Sequence, residues 1–274
     1  MTKKSTLNRF KIIWNYISKA IKNNYRPVLV IFGFFLIWEL VVRIFNISEL
    51  VLPSPTCALD HLFNAQPDAN YNWGVHIGVT VKEFILGFLF TALFGIFIAI
   101  IVVWSKTLEH VLMPAFVFIN SLPIIALAPI ILLWLGYGLK TNILIAFLCG
   151  FFPVVINTIA GLESVEDDLL DLVNYLGASK FQLFTKIRIP NALPYIFSGL
   201  KICTTMSVVG AIVGEFIASD RGLGYIIINS QYTMDTPPIF SALIVISVAG
   251  GGMYMIVSFI EHLMMPWMLL TEKK

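Results

Sequence analysis

The apolar residues of this chain come in long unbroken blocks, not at alternate positions. Six blocks are long enough to cross a bilayer as helices: Val28–Phe45, Phe84–Trp104, Val111–Leu135, Thr141–Gly161, Leu193–Ala218 and Pro238–Met265. A helix of about 20 apolar residues matches a hydrocarbon core ~30 Å thick. Two intervening stretches, 46–83 and 219–237, read as loops; the first holds Leu52-Pro53-Ser54-Pro55 and Gln66-Pro67-Asp68-Ala69-Asn70. The pattern predicts an all-α membrane protein with six transmembrane helices and both termini on one side.

Polar and small residues inside the blocks carry the next layer of information. Gly87, Thr91, Gly95 and Ala99 are four apart in the second block. That spacing makes a flat stripe on which another helix can lie closely. The third block is interrupted by Pro123 and Pro129 and holds Asn120 and Ser121 near its middle. Broken backbone and polar groups survive at membrane depth only where protein or a water-filled cavity satisfies them. Asn120 and Ser121, with Thr204 and Thr205 of the fifth block, are therefore candidates to line a solute pathway, helix–helix hydrogen bonds being the structural alternative. Glu215, near the end of that block, is a candidate for the pathway or its gate, or a partner for a loop. Glu39 and Arg43, four apart, are spaced to pair along one helix.

Composition agrees with the blocks. The chain is 58% hydrophobic and 12% charged, against about 25% charged in soluble domains. A net charge of +2 gives no electrostatic case for a nucleic-acid partner. Cys57, Cys149 and Cys203 have no metal-ligand spacing, and neither have His61, His76, His110 and His262. Residues 1–27 hold seven basic residues and no acid, with Phe10, Ile13, Ile17 and Ile21 on one helical face. That is the pattern of a segment lying in the headgroup plane, ahead of an uncleaved first span. Residues 28–267 form the membrane domain and 268–274 a short tail.

Charge also sets the orientation. With the N-terminus inside, fourteen Lys and Arg residues fall on the cytoplasmic side; the other four are Arg43, Lys82, Lys140 and Arg221. The excess predicts cytoplasmic termini. It also places the one long polar insert, 162–192, in the cytoplasm. Ser164 is positioned to cap a first helix rich in acids, Gly177 to end it in the left-handed conformation, and Ser179 with Gln182 to open a second by a capping box. Pro190 is the expected stop of that second helix. Leu176, Phe181, Leu183 and Phe184 sit around the turn. An element with apolar tips and sorted charges fits a groove in a soluble protein.

The insert resembles the cytoplasmic loop of permease subunits of binding-protein-dependent ABC importers. That loop reads Glu-Ala-Ala, three residues, Gly, nine residues, Ile-x-Leu-Pro. Asp171 stands in place of the Glu, Gly177 matches the Gly, and Ile187, Ile189 and Pro190 match the end; Ala178 and Phe181 lie between. Leu172 and Val173 replace the alanines. Leu52-Pro53-Ser54-Pro55, the run Pro123–Pro129, Phe151-Phe152-Pro153, Gly214-Glu215 and Gly222-Leu223-Gly224-Tyr225 are similar to the nitrate/sulfonate/taurine branch. The resemblance implies a type I ABC importer permease-like fold with a coupling-helix insert in the bacterial inner membrane. It implies as partners a second permease copy, two cytoplasmic ATP-binding subunits gripping the insert, and an extracytoplasmic solute-binding protein.

The chain lacks a phosphate-binding loop of its own. Gly136-Tyr137-Gly138-Leu139-Lys140-Thr141 comes nearest, but Leu139 separates glycine from lysine, so it reads as a turn. ATP and Mg are expected in a separate chain, this one being a transport subunit with no cofactor and no enzymatic activity. The rival reading is a secondary transporter or channel driven by an ion gradient. Such proteins place ionisable groups at the midplane, whereas the acids here cluster in loops and at block ends.

Overall fold

The computed structural model describes residues 25–64 and 72–265, and among these it is all-helical. The expected interfacial segment before residue 25, the 66–70 loop and the C-terminal tail lie outside the described residues. In chain order the helices are α1 (Tyr25–Ile44), α2 (Pro55–Asn64), α3 (Trp73–Trp104), α4 (Lys106–Asn120), α5 (Ile124–Leu135), α6 (Leu139–Glu163), α7 (Asp167–Tyr175), α8 (Lys180–Leu183), α9 (Ile189–Ala218), α10 (Leu223–Tyr232) and α11 (Thr236–Met264). A π-helical turn, Phe184–Arg188, joins α8 to α9 without a break.

The core is a trio of long helices: α6 and α9 run along each other, and α3 lies against both. Helices in lipid associate by close packing, because lipid tails are as apolar as the side chains they would replace. The small-residue stripe of α3 serves that purpose. A Cβ on Gly87 would lie 2.5 Å from the Ala146 Cβ, and one on Gly95 would lie 2.9 Å from Val154 Cγ1. Thr91, from the same stripe, donates to the Phe147 carbonyl at 3.0 Å. At the insert end, Ala99, Val102, Val155, Leu162, Ile196 and Leu200 share one buried cluster. At the opposite end, Trp73, Leu223, Ile226 and Ala242 form another. An ion pair between Lys201 and Glu261 ties α9 to α11.

Four described helices are long and apolar enough to cross a membrane, or five if the bent pair α4–α5 is one span. The expected first span, Val28–Phe45, coincides with α1, an apolar helix of 20 residues. Other boundaries move. The second span begins at Trp73, not Phe84, so the supposed loop up to residue 83 ends in three turns of helix. The supposed 219–237 loop contains α10, and residues 55–64 form α2. The link expected over 105–110 shrinks to Ser105. The third block is two helices meeting at 94°, broken at Ser121-Leu122-Pro123. Pro123 sits in an extended conformation and starts α5.

Short helices α2 and α10 borrow their N-terminal partners from long ones. The start of α2 leans on Glu39: its carboxylate accepts from the Thr56 N–H at 3.1 Å and hydroxyl at 2.8 Å, and from Arg43 Nε at 2.6 Å. The Glu39–Arg43 pair expected from spacing is therefore present and also fixes α2. Of the run 136–141, residues 136–138 form the expected turn and the rest opens α6; Gly138 N donates to the Ala218 carbonyl at 3.0 Å.

Candidate coupling surface and solute pathway

The insert folds largely by local rules. Its first helix opens with Asp167 and Asp168, where negative charge favours the positive end of the helix dipole. Leu176 is the C-cap, and Gly177 follows at φ +74°. Gly177 N donates to the Asn174 carbonyl at 3.0 Å and Ala178 N to that of Val173 at 3.3 Å. That bond pair is a Schellman cap, which needs the left-handed residue that glycine supplies without a Cβ clash. The capping box is present too: Gln182 N donates to Ser179 Oγ at 3.2 Å, and Ser179 N donates to Gln182 Oε1 at 2.9 Å.

Two expectations fail here for identifiable reasons. Ser164 does not cap the first helix; it donates to the Gly161 carbonyl at 2.9 Å and accepts from Asn191 Nδ2 at 2.8 Å, pinning the base of the insert to α9. The first helix starts instead at Asp167, with Glu166 before it. Pro190 does not stop the second helix. It falls in the first turn of α9. The wide turn Phe184–Arg188 ahead of it closes with an Ile189 N–H to Phe184 bond, spanning five residues. Residues 180–218 thus form one helical rod.

The tip of the insert is apolar and uncovered: Tyr175 is 90% exposed, Leu176 73% and Phe181 66%. Asp171, Gly177 and Pro190 are also exposed, while Ala178, Ile187 and Ile189 are half-buried. Phe184 turns the other way. It is buried, with its ring 5.3 Å from that of Trp104, and anchors the insert on α3. Between insert and body lies a cavity of about 630 Å³, lined in part by Lys106, Glu109, Glu163, Asp167, Lys180 and Arg188.

The five pathway candidates are not gathered into one site. Asn120 and Ser121 are exposed at the α4–α5 break, where Ser121 Oγ donates to the Val117 carbonyl at 2.8 Å. Thr205 is exposed and Thr204 fully buried; each bonds back to its own helix, to Ile202 and Lys201. Glu215 is buried at the end opposite the insert, accepting from Thr80 Oγ1 and from Gly224 N, each at 2.5 Å. The Gly224 bond joins Glu215 to the first turn of α10, inside the stretch first read as a loop.

Residues 91–268 match the family model described as "Binding-protein-dependent transport system inner membrane component". The chain belongs to this family. Its members' sequences extend the match beyond that stretch. A "Probable ABC transporter permease protein" of Haemophilus influenzae is 32% identical over 237 residues, covering 86% of this chain and 95% of the relative. A formylaminopyrimidine transport permease of Halalkalibacterium halodurans is 29% identical, covering 88% and 95%. The taurine transport permease of Escherichia coli is 28% identical, covering 84% and 85%. In fold, this permease is similar to a chain of an inward-facing methionine ABC transporter. The TM-score is 0.55 at 17% identity, covering 67% of this chain and 93% of that one.

The permease also holds polar residues that sequence reasoning passed over. His76, Thr80 and Glu83 lie on α3 in a stretch first read as loop, and Asn142 lies on α6; all four are buried. Their three- and four-residue spacing on α3 was the one available signal.

Proposed function

We propose that this chain is the permease subunit of an ATP-driven importer for a small solute, with ATP hydrolysed on a separate cytoplasmic chain that grips the insert 162–192. The observation that carries the reading is the union of an uncovered apolar tip with a rigid rod. Tyr175, Leu176 and Phe181 offer a soluble partner its contact, and the continuous helix 180–218 carries any displacement of that contact through the bundle. Nucleotide-driven movement of the partner then biases two discrete arrangements of the spans, open alternately to each side.

A second permease copy completes the pathway. The α4–α5 break lies at bilayer depth, since the 15 residues of α4 rise roughly 22 Å from the insert end. Its neighbours Phe118, Ile119, Asn120 and Ser121 are exposed on the single chain. Helix ends leave carbonyls without intrahelical partners, and lipid supplies none. A second subunit and a water-filled passage between the copies do. The solute is of the sulfonate, nitrate, taurine or vitamin-precursor type, in keeping with relatives named for taurine and formylaminopyrimidine transport. A solute-binding protein outside the membrane delivers it.

The test is Gly177→Val in the assembled complex. A β-branched residue at φ +74° strains the Schellman cap by roughly 1–3 kcal/mol. Uptake falls about tenfold or more, while the amount of protein in the membrane stays unchanged. Wild-type uptake by this variant refutes the coupling role. Collapsing the proton gradient with ATP maintained leaves uptake intact; its loss would favour an ion-gradient transporter.

A further inference from the structure

The N-terminus of α10 has no cap of its own, because Gly222 precedes it and brings no side chain. Three successive backbone N–H groups are met instead by side chains from two other helices. Gly222 N donates to His76 Nδ1 at 3.0 Å, Leu223 N to Thr80 Oγ1 at 2.8 Å and Gly224 N to Glu215 Oε2 at 2.5 Å. The Thr80 hydroxyl donates onward to Glu215 Oε1 at 2.5 Å, so both oxygens of Glu215 are occupied as acceptors. Gly222 and Gly224 leave no room for a Cβ, because each backbone lies directly on the Glu215 side chain.

Glu215 also meets a second carboxyl. Glu83 lies one turn along α3 from Thr80, and its partner Asn142 packs against Gly214, the residue before Glu215, so the two carboxyls share one buried pocket. Both residues are 1% exposed. Glu83 Oε1 accepts from Asn142 Nδ2 at 2.8 Å, but Glu83 Oε2 is buried with no donor. Among the described residues no cation forms an ion pair with either carboxylate. The groups on the surrounding elements are His76 on α3, uncharged Asn142 on α6, Tyr225 on α10 stacked over His76, and Asp220 with Arg221 in the turn acting on His76. Helix α11 carries no charged residue before Glu261. A buried acceptor without a donor costs about 1–3 kcal/mol, more if charged. One hydrogen atom removes the orphan.

We propose that Glu83 carries a proton on Oε2, donates it to Glu215, and thereby forms a proton-dependent latch that positions α10. Every oxygen of the pair then has a partner, and only one negative charge is buried, shared with Thr80 and the α10 backbone. Removing the proton sets two like charges against each other in a site closed off from bulk solvent. Glu215 withdraws from Gly224, the three N–H groups lose their coordinated cap, and α10 detaches from the end of the bundle.

The test uses the full chain in lipid nanodiscs, without transport, so its outcome is independent of the importer reading. Glu83→Gln places an amide N–H where the proton lies and keeps an oxygen for Asn142. In the wild type, infrared spectra show a protonated-carboxyl band that Glu83→Gln removes. A spin label replacing Tyr232, at the exposed end of α10, becomes mobile as the pH is raised. In Glu83→Gln it stays immobile at every pH, and in Glu83→Ala it is mobile throughout. An unchanged carboxyl band in Glu83→Gln, or a label that still loosens with pH in that variant, overturns the proposal. Should Glu83→Ala fail to fold, the comparison of wild type with Glu83→Gln decides alone.

Discussion

Single glycines in this chain do opposite jobs, and their surroundings say which. Gly87 faces α6 so closely that a methyl group would strike Ala146, whereas Gly251 on α11 has nothing within 4 Å of where a Cβ would stand. Gly87→Ala therefore forces the α3–α6 contact apart and costs roughly 1–3 kcal/mol, as overpacking does. Gly251→Ala gains roughly 0.5–1 kcal/mol, because alanine gives up less chain entropy in a helix. Thermal melting of the two variants in one detergent should move in opposite directions from the wild type. Equal shifts would mean that the stripe on α3 is not a contact surface. The stripe itself was readable, since period-four small residues need no knowledge of the partner. What it lay against was not, because Ala146 and Val154 look like any other apolar residues of the fourth block.

At the scale of elements, local chemistry and distant chemistry separate cleanly. The insert is held by neighbours in sequence, so its turn and capping box were both legible. Ser179→Ala removes that box and costs about 0.5–2 kcal/mol. At about 1 kcal/mol the opened form becomes roughly five times more populated, and limited trypsin digestion at Lys180 and Lys186 should speed up by that factor. Cleavage at the wild-type rate would mean that the tip is stabilised by something other than its cap. Helix α10 and the first turns of α3 were missed for the converse reason. His76, Thr80, Lys82 and Glu83 look like loop residues, yet His76, Thr80 and Glu83 are one buried helix face, and the partners of the first two sit about 140 positions away. A glycine N-cap announces nothing, and the groups that stand in for it come from α3 and α9. Pro190 misled in another way: proline ends a helix from within but is welcome in a first turn, and the sequence did not show that a π turn would carry the chain into α9.

For the molecule as a whole, the decisive question is which exposed surface meets lipid and which meets water. Phe97 on α3 is 58% exposed among other apolar residues, whereas Asn120 is exposed at a break in the backbone. On a cysteine-free background, Asn120→Cys should react with a membrane-impermeant maleimide in the assembled complex and Phe97→Cys should not. Equal labelling of the two would remove the water-filled passage from the proposed mechanism. The rod of residues 180–218 sets a further condition. At 1.5 Å per residue it is roughly 58 Å long, and its one irregularity is the five-residue turn at Phe184–Arg188. Each residue of an α-helix advances the azimuth by about 100°. The wide turn is therefore an angular offset, fixing the compass bearing at which Tyr175, Leu176 and Phe181 leave the membrane surface. Gain or loss of a single residue there would preserve helicity and apolar content alike, yet aim the same side chains at a different quadrant, where a partner built for the original heading would find nothing to hold.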